Sequence, residues 1–413
     1  MGKRRVLSLF SGCGGMDIGF EGNFTCLKRS INISIHPEWI KEDLGEWVRV
    51  CETGFETVFA NDIRPDTKSA WVSYFGKRYD NANDIYHIES IVDLVKRAKS
   101  GEKVFPENID IVTGGFPCQD FSVAGKRKGF NSDKSHDGGK LDVSEPTVES
   151  RGQLYMWMRE VVSIVKPSIF IAENVKGLTT LEDAKTVIEH DFANAADGGY
   201  LVIPARVLHA ANYGVPQSRE RVIFYGFQRN SLKDGALTAL LNLSENPNFD
   251  PYPIPTHKYN VEGENLLPFV TCAEALAGLQ EPEFTDDMSQ ARYSKAKYMQ
   301  KGQGNIEIKM DSISPTIRSE HHGNIEFRRL SAENGGTHQD ELAEGLEQRR
   351  LTVRECARIQ TFPDDYQFIL PKIGENKAVS ASDAYKIIGN AVPCVLGYNI
   401  AMRLSENWNK YFG

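Results

Sequence analysis

Short apolar runs alternate with helix-like amphipathic segments along the first 249 residues of the chain. Buried strands of a parallel sheet appear as nearly continuous apolar runs, and their alternation with helices is typical of βαβ units. The pattern therefore predicts an α/β fold with a mostly parallel, doubly wound sheet. The strand candidates are Val6 to Phe10, Thr57 to Ala60, Ile109 to Thr113, Ser168 to Ala172 and Arg221 to Phe227.

The organisation changes after residue 246, where four prolines fall between Pro247 and Pro255. A proline cluster of this kind indicates a domain boundary. The following hundred residues are polar and weakly periodic, which is typical of a small irregular domain. After Phe362-Pro363, the apolar segment from Ser382 to Arg403 predicts a helix. A length of 413 residues also favours two domains over one.

Residues 27 to 55 form an insertion before the second strand candidate. Large apolar groups between Pro37 and Val48 have near-helical spacing, and proline is tolerated at a helix start. We expect this helix to cover the sheet edge, with a partner-binding surface as the alternative.

Several classes of protein and site are disfavoured by composition. No run approaches ~18 uninterrupted apolar residues, and Met-Gly-Lys-Arg-Arg-Val leads directly into the first strand candidate. We therefore expect a cytoplasmic protein without a membrane segment. Seven cysteines without a Cys-x-x-Cys pair fit a reducing compartment, and with His321-His322 as the only close histidine pair we expect no metal site.

The net charge of −8 argues against nucleic acid as a partner until the charges are examined locally. Residues 288 to 330 carry eight Lys or Arg against four acidic residues, a local charge of +4. A mixed-charge segment is either a solvated face or a surface that contacts nucleic acid.

One cysteine lies where an apolar strand candidate ends, in Gly-Gly-Phe-Pro-Cys118-Gln. The carboxyl edge of an open α/β sheet is where such folds keep their chemistry, and a thiolate is the reactive form of cysteine. Cys118 is therefore a candidate nucleophile, and the alternative is a small buried apolar residue.

A glycine-rich turn, Phe10-Ser-Gly-Cys-Gly-Gly15, follows the first strand candidate and leads into a helical pattern. Such a turn lets backbone N–H groups approach a nucleotide-like ligand. The dinucleotide pattern would need glycine at position 17, which is Asp17, and an acidic residue suits a ligand with an ammonium group. An ordinary βα turn is the alternative.

Six motifs in order carry a resemblance to a known family. They are the glycine-rich turn, the Cys118 loop, Glu173-Asn174-Val175, Gln217-Ser-Arg219-Glu-Arg221, Arg354-Glu355-Cys356-Ala-Arg358 and Gly389-Asn390-Ala391-Val392-Pro393. From end to end the chain resembles the DNA (cytosine-5)-methyltransferases of bacterial restriction-modification systems.

This resemblance implies a class I S-adenosylmethionine-dependent methyltransferase fold with a smaller, irregular target-recognition domain. Residues 1–249 and 366–413 would form the catalytic and cofactor-binding domain. Residues 250–365 would form the target-recognition domain and hinge, which favours DNA contact by the basic segment.

The family's catalytic roles fall on four positions. Cys118 would add to C6 of cytosine, and Glu173 would protonate or hydrogen-bond ring N3. Arg221 would hold the base carbonyl and Arg219 would support the loop. The alternative for Glu173 is a structural carboxylate paired with an arginine, and for either arginine a plain salt bridge.

The implied cofactor is S-adenosyl-L-methionine. Asp62 would accept hydrogen bonds from its ribose, and Asp84 would read the adenine amino group or, alternatively, form a turn. Ile63 stands where many relatives place an aromatic residue, so stacking on adenine is in doubt. The remaining candidates, which would pack against or close the pocket, are Phe10, Gly12, Gly14, Leu154, Asn390 and Val392.

The implied substrate is double-stranded DNA, with the target cytosine flipped out of the helix. We expect a monomer, with any cognate restriction endonuclease acting separately. The alternatives are a methyltransferase for structured RNA and a catalytically silent DNA-binding regulator. The candidate DNA-contacting residues are Gln119, Ser122, Lys126, Thr316, Arg318, Arg328 and Arg329.

Overall fold

The computed structural model describes residues 2–117, 154–180, 183–261, 265–319 and 323–413. Four of the candidate residues therefore lie outside the described residues: Cys118, Gln119, Ser122 and Lys126. The same is true of the pair His321-His322.

The secondary structure of the described residues consists of short strands and helices. The strands are β1 (Arg4–Leu9), β2 (Thr25–Leu27), β3 (Ile40–Leu44), β4 (Trp47–Val50), β5 (Phe55–Asp62), β6 (Tyr86–Ile88), β7 (Ile111–Gly115), β8 (Ile169–Val175), β9 (Tyr200–His209), β10 (Glu220–Gln228), β11 (His257–Lys258), β12 (Leu267–Pro268), β13 (Phe327–Arg329) and β14 (Arg349–Arg350). The helices are α1 (Gly15–Glu21), α2 (Pro65–Phe75), α3 (Ala82–Ile85), α4 (Ile91–Lys99), α5 (Leu154–Val165), α6 (Ala184–Ala193), α7 (Ala236–Leu241), α8 (Cys272–Leu276), α9 (Gln339–Ala343), α10 (Val353–Ile359), α11 (Ala381–Asn390) and α12 (Cys394–Tyr411).

The main sheet has seven strands in the order β6-β5-β1-β7-β8-β10-β9. Its first five strands are parallel, and β10 runs antiparallel to both β8 and β9. The five strand candidates correspond to β1, β5, β7, β8 and β10, so the predicted α/β fold is confirmed. The carboxyl ends of β7 and β8 therefore meet the start of β10 at one edge of the sheet.

Apolar cores lie on both faces of this sheet. Adjacent residues of one strand point to opposite faces, and Val6 belongs to one core while Leu7 belongs to the other. Ile111 and Val112 of β7 divide in the same way. This explains why both positions of each inner strand are apolar, as the doubly wound arrangement requires.

The apolar segment near the carboxyl terminus forms two helices where the sequence predicts one. α11 ends at Asn390 and α12 begins at Cys394, because the proline at 393 cannot continue a helix. Gly19 of α1 and Gly397 of α12 let the two helices approach closely: a Cβ on Gly19 would lie 2.6 Å from the Gly397 backbone. The span Ala381–Tyr411 is long and apolar enough for a membrane helix, but 83% of its most apolar window is buried within the protein.

The insertion at residues 27 to 55 does not form the predicted helix. It contributes β3 and β4, which pair with β2 in a three-stranded antiparallel sheet. Gly45 provides the left-handed conformation (φ 86°) needed for the turn between β3 and β4. Trp39 packs edge-on against Tyr398 of α12 and donates to Glu406, so the insertion packs against this helix.

Candidate active site

The register of the sheet brings Glu173 next to the strand that leads to Cys118. Gly115, at the end of β7, is the partner of Glu173 on β8. A Cβ on Gly115 would lie 2.8 Å from the Glu173 carboxylate, so any larger residue would displace this carboxylate from its position. Because only two residues separate Gly115 from Cys118, Glu173 lies at the base of the Cys118 loop.

Glu173 forms an ion pair with Arg221. The Arg221 Nε atom lies 2.8 Å from Glu173 Oε1, and both side chains are about nine-tenths buried. Burial raises the pKa of Glu173, and the positive charges of Arg221 and Arg219 oppose this shift. Glu173 therefore gains a proton more readily than an exposed glutamate does, and the Arg221 cation lies directly beside it.

Asn174 has a structural role that the sequence did not reveal. Its amide nitrogen donates to the carbonyl of Phe116 at 3.1 Å, and its amide oxygen accepts from the backbone N–H of Val175. The side chain therefore fixes the backbone two residues before Cys118. The Glu-Asn-Val motif contains this residue, but its partner becomes visible only when β7 and β8 pair.

Arg219 lies in the interior, just before β10, and binds backbone carbonyls. It is 1% exposed and donates to the carbonyls of Ile317, Gly389 and Ala391 at 3.1, 2.9 and 2.8 Å. These contacts join the start of β10 to residue 317 and to the break between α11 and α12. The geometry thus agrees with support of the site by Arg219 rather than contact with a base.

Gln217 and Gln360 complete this joint, and the sequence motifs indicate no role for either. Gln217 accepts from the backbone N–H of Ile317 at 3.0 Å and donates to Gln360 at 2.5 Å. Gln360 in turn donates to the carbonyls of Ile388 and Ala391. Both glutamines are fully buried, so three chain segments meet through satisfied polar groups.

The glycine-rich turn and Asp62 form one polar cradle at the carboxyl ends of β1 and β5. The Asp62 carboxylate accepts from the backbone N–H of Gly12 at 3.1 Å and from that of Arg64 at 3.0 Å. A carboxylate can accept about four hydrogen bonds, so capacity remains for a ribose hydroxyl. A Cβ on Gly12 would meet no atom within 4 Å, so open space borders the backbone there. These features fit the cofactor that the resemblance implies.

The turn itself is built from left-handed backbone. Phe10, Gly12 and Gly14 have φ values of 53°, 55° and 81°. A Cβ on Gly14 would approach Trp71 to 2.6 Å. Since only glycine tolerates both this conformation and this contact, the turn needs the residues that the motif supplies. Positive φ at Phe10 is uncommon for a residue with a side chain.

The remaining cofactor candidates lie in different elements of the fold. The Val392 carbonyl packs on Gly15, where a Cβ would lie 2.2 Å away. Leu154 is buried at the start of α5, whereas Asn390 and Asp84 are exposed at the end of α11 and in α3. The structure therefore places Val392 beside the glycine-rich turn.

Asp17 does not face a ligand as the sequence suggested. Its carboxylate is 1% exposed and accepts from Ser8 Oγ at 2.6 Å and from Trp71 Nε1 at 2.8 Å. It thereby links β1 to α2 beneath the turn. Burial raises the pKa of Asp17 to about 7, and the two hydrogen bonds partly oppose the shift.

We expect Asp17→Asn to change the pH dependence of stability. Between pH ~4 and 7 the folded protein binds a proton at Asp17 that the unfolded chain lacks. The stability that the fold has with Asp17 protonated is therefore fully present below pH ~4 and is lost by pH ~7. Asparagine retains hydrogen-bonding groups for Ser8 and Trp71 without the charge. Denaturant unfolding should show the variant gaining roughly 1 kcal/mol or more relative to wild type between pH 5 and 8. The exposed control Asp365→Asn should show no such gain, and equal behaviour of the two variants would contradict the prediction.

Thr316 and Arg318 lie on the segment that contacts the start of β10. The Thr316 hydroxyl donates to the Ser218 carbonyl. Arg318 pairs with the buried Glu326 at 3.2 Å and donates to the Asn324 carbonyl at 3.0 Å, and its side chain remains 27% exposed. The segment is thus anchored, with Arg318 partly open to solvent.

Arg328 and Arg329 are held by carboxylates. Arg329 is 1% exposed, donates to both Glu281 oxygens at 2.9 and 2.6 Å, and also contacts Glu341 and the Glu347 carbonyl. Arg328 is 13% exposed and pairs with Glu341 at 3.0 Å. This geometry assigns Arg329 to the framework of the domain, and we do not retain it as a base-reading residue.

A cluster of three possible metal ligands occurs among the described residues. His36, Glu38 and Glu406 place their ligand atoms within 4.8 Å of one another. Both glutamates are exposed, and the His36 ring stacks on Trp39 at 3.8 Å. The cluster lies on the insertion and α12, away from the Glu173 pair.

Comparison with known proteins gives consistent results. The profile of the family C-5 cytosine-specific DNA methylase matches residues 4–406. The type II methyltransferase M.BspRI of Lysinibacillus sphaericus is 34% identical over 98% of this chain and 82% of its own length. M.NgoFVII of Neisseria gonorrhoeae is 30% identical over 99% of this chain and 89% of its own length.

Solved structures agree on the fold. The Dnmt2 methyltransferase of S. pombe superposes with a TM-score of 0.53 at 18% identity, covering 98% of this chain and 100% of its own. The Entamoeba histolytica methyltransferase EhMeth gives a TM-score of 0.53 at 12% identity, covering 99% of both chains. Together with the profile match, the fold and the motifs, this shows that the chain belongs to the C-5 cytosine-specific DNA methylases, enzymes that transfer a methyl group from S-adenosylmethionine to C5 of cytosine in DNA.

Proposed function

We propose that the chain methylates one cytosine within a specific duplex sequence, with Cys118 as nucleophile and the Glu173–Arg221 pair as the group that activates the base. The observation that carries this assignment is the 2.8 Å pair of Glu173 and Arg221, located beside the strand that leads to Cys118. A silent DNA-binding regulator would have no need for a buried carboxyl group with a raised pKa at this position.

The first step is addition of the Cys118 thiolate to C6 of the cytosine. A carbon–sulfur bond forms, and the electron pair of the C5–C6 double bond is displaced toward C5 and ring N3. Glu173 donates a proton or hydrogen bond to N3, which its raised pKa favours. Arg221, beside it, donates to the base carbonyl and limits the charge that accumulates there.

The second stage completes the reaction at C5. S-adenosylmethionine supplies a methyl group on a sulfonium, and the activated C5 takes it with the sulfur keeping the bonding electrons. The C5 proton is then lost to a base, the C5–C6 double bond forms again, and Cys118 leaves as a thiolate. Glu173 takes back the N3 proton, so the protein ends as it began.

The cofactor is assigned to the cradle at the ends of β1 and β5. We assign its ribose to Asp62, whose carboxylate the Gly12 and Arg64 amides orient. Phe10 and Gly14 would line the remaining wall, and Val392 would close it from the side of α12. Leu154, Asn390 and Asp84 stay in the proposal as neighbours of adenine and the methionine moiety.

Residues 250–365 are proposed to recognise the target sequence, with the cytosine rotated out of the duplex into the site. The local charge of +4 between residues 288 and 330 supports this role. Arg318, Thr316 and Arg328 remain candidates for DNA contact, with Gln119, Ser122 and Lys126 near the nucleophile. The relatives' names place such enzymes in type II systems, so we propose a bacterial modification methyltransferase that acts as a cytoplasmic monomer, apart from any partner endonuclease.

An exchange of residues 257–350 with those of a relative should change the methylated sequence without abolishing activity. Part of the joint to the catalytic part uses backbone atoms of the exchanged region, which any sequence supplies: Ser314 pairs with Pro216 and Ser218, and Ile317 with Gln217 and Arg219. Side-chain pairs such as Arg29–Glu274 and Arg349–Glu355 also cross its boundaries, so the chosen relative should keep them. Bisulfite sequencing of DNA from expressing cells would identify the methylated site of each protein. A folded, active chimera that keeps its original site would refute the assignment of recognition to this region.

A further inference from the structure

An exposed loop within the proposed recognition region carries basic residues. Residues 297–304, here called the basic loop, contain no helix or strand. Lys297 and Lys301 are exposed, and within the described part of the chain neither forms an ion pair. Lys295, just before the loop, places its ammonium group 3.6 Å from the centre of the Tyr293 ring. The loop therefore presents positive charge that the fold itself does not neutralise.

Both ends of the basic loop are bound by one buried side chain, Arg350. Its guanidinium donates to the carbonyls of Ala296 and Lys297 at 2.7 and 3.0 Å, and to that of Gly304 at 2.5 Å. Arg350 is 1% exposed. Because its planar donors reach the first and last residues of the loop together, Arg350 closes the loop at its base.

The same guanidinium also holds the loop against the rest of the domain. It donates to the Ile325 carbonyl and lies 4.1 Å above the Phe327 ring. Gly304 has φ +73°, and a Cβ there would lie 1.8 Å from the Asn324 carbonyl. Since Arg318 donates to that same carbonyl, the base of the loop is connected to the segment proposed to contact phosphate.

An exposed loop of eight residues has many conformations, and fixing them costs free energy when it binds a partner. A loop closed in advance avoids part of this cost, which is the advantage of preorganisation. Arg350 donates to backbone carbonyls, so it fixes the conformation of the loop whatever side chains the loop carries. The exposed lysines then remain available to a polyanion.

We infer that Arg350 is a positioning residue that preforms the basic loop, so that Lys297 and Lys301 contact DNA phosphates next to the recognition sequence. This inference rests on the proposed recognition role of residues 250–365. It assigns a function to Arg350 that requires no contact between Arg350 and DNA.

The first test is the double variant Lys297→Gln/Lys301→Gln, with Lys103→Gln, an exposed lysine outside residues 250–365, as a matched control. Each phosphate contact adds about 0.9 to the slope of log K against log salt, so the double variant should lower this slope by nearly two. We expect its KM for a cognate duplex to rise about tenfold, while kcat at saturating DNA changes less than threefold. Lys103→Gln should leave both close to wild type.

The second test is Arg350→Lys, because an ammonium group keeps the charge but cannot bind both ends of the loop at once. We expect a similar rise in KM with little change in kcat, and faster proteolytic cleavage within residues 297–304. If Arg350→Lys does not fold, the salt slope of Lys297→Gln/Lys301→Gln tests the inference. An unchanged salt slope in Lys297→Gln/Lys301→Gln would overturn the inference. Wild-type protein that methylates without sequence preference would instead refute the proposed recognition function.

Discussion

Cys118→Ala should abolish methyl transfer and leave DNA binding largely intact. The thiol forms the covalent bond to C6, and five of the six cysteines among the described residues are buried. The contacts proposed for DNA are made by other side chains, which the variant keeps, so affinity should persist. Tritium transfer from labelled S-adenosylmethionine measures the first property, and a gel-shift titration measures the second.

A duplex with 5-fluorocytosine at the target position gives a more direct readout. Fluorine cannot leave as a proton does, so the wild-type protein should remain covalently attached to the DNA. Cys51→Ala is the matched control, since this half-buried thiol lies in the insertion and donates to the Glu38 carbonyl. Adduct formation by Cys118→Ala would show that the nucleophile is another residue.

Glu173→Gln is expected to slow turnover by ~10²-fold or more, the range that general acid catalysis usually supplies. Glutamine fills the same space beside Arg221, but it cannot deliver a proton to ring N3. Affinity for S-adenosylmethionine should hardly change, because the Asp62 cradle lies at other strand ends. Single-turnover rates at saturating DNA, together with cofactor binding by calorimetry, test both statements.

The matched control is Glu220→Gln, which makes the same chemical change at a neighbouring, exposed residue paired with Lys176. Wild-type turnover should fall as pH rises through the raised pKa of Glu173, because the protonated carboxyl is the acid. Glu173→Gln should lack this limb of the pH profile. Near-normal turnover in a folded Glu173→Gln protein would mean that the carboxylate is only a structural partner of Arg221.

Loss of stability must be separated from loss of catalysis in this variant. Removing one charge of a buried pair leaves the other without compensation, which typically costs about 3–5 kcal/mol. Glutamine limits that cost, because its amide oxygen can accept from Arg221 Nε. Thermal unfolding of both variants would establish whether slow turnover arises in folded protein.

Much of the sheet could be predicted because its inner strands are buried on both faces and leave apolar runs. β9 was not predicted, since it lies at the edge and exposes Pro204, Arg206 and Val207 among its ten residues. The helix predicted in the insertion was wrong because its apolar pattern is short. Short apolar spacing between Pro37 and Val48 fits more than one period, and only pairing with β2 and the turn at Gly45 select strands.

The sequence by itself determined the family, the inner strands that support the site, and the presence of the glycine-rich turn, because these depend on short motifs and apolar runs. Only the tertiary structure decided which charged residues remain available for contact with DNA. Arg329 contributes to the local +4, yet Glu281, 48 residues away, neutralises it in the interior. Arg350 likewise acts on a loop 46 to 54 residues away. Charge and motif are properties of the chain, whereas the partner of each charge depends on contacts between distant segments, which no local pattern encodes.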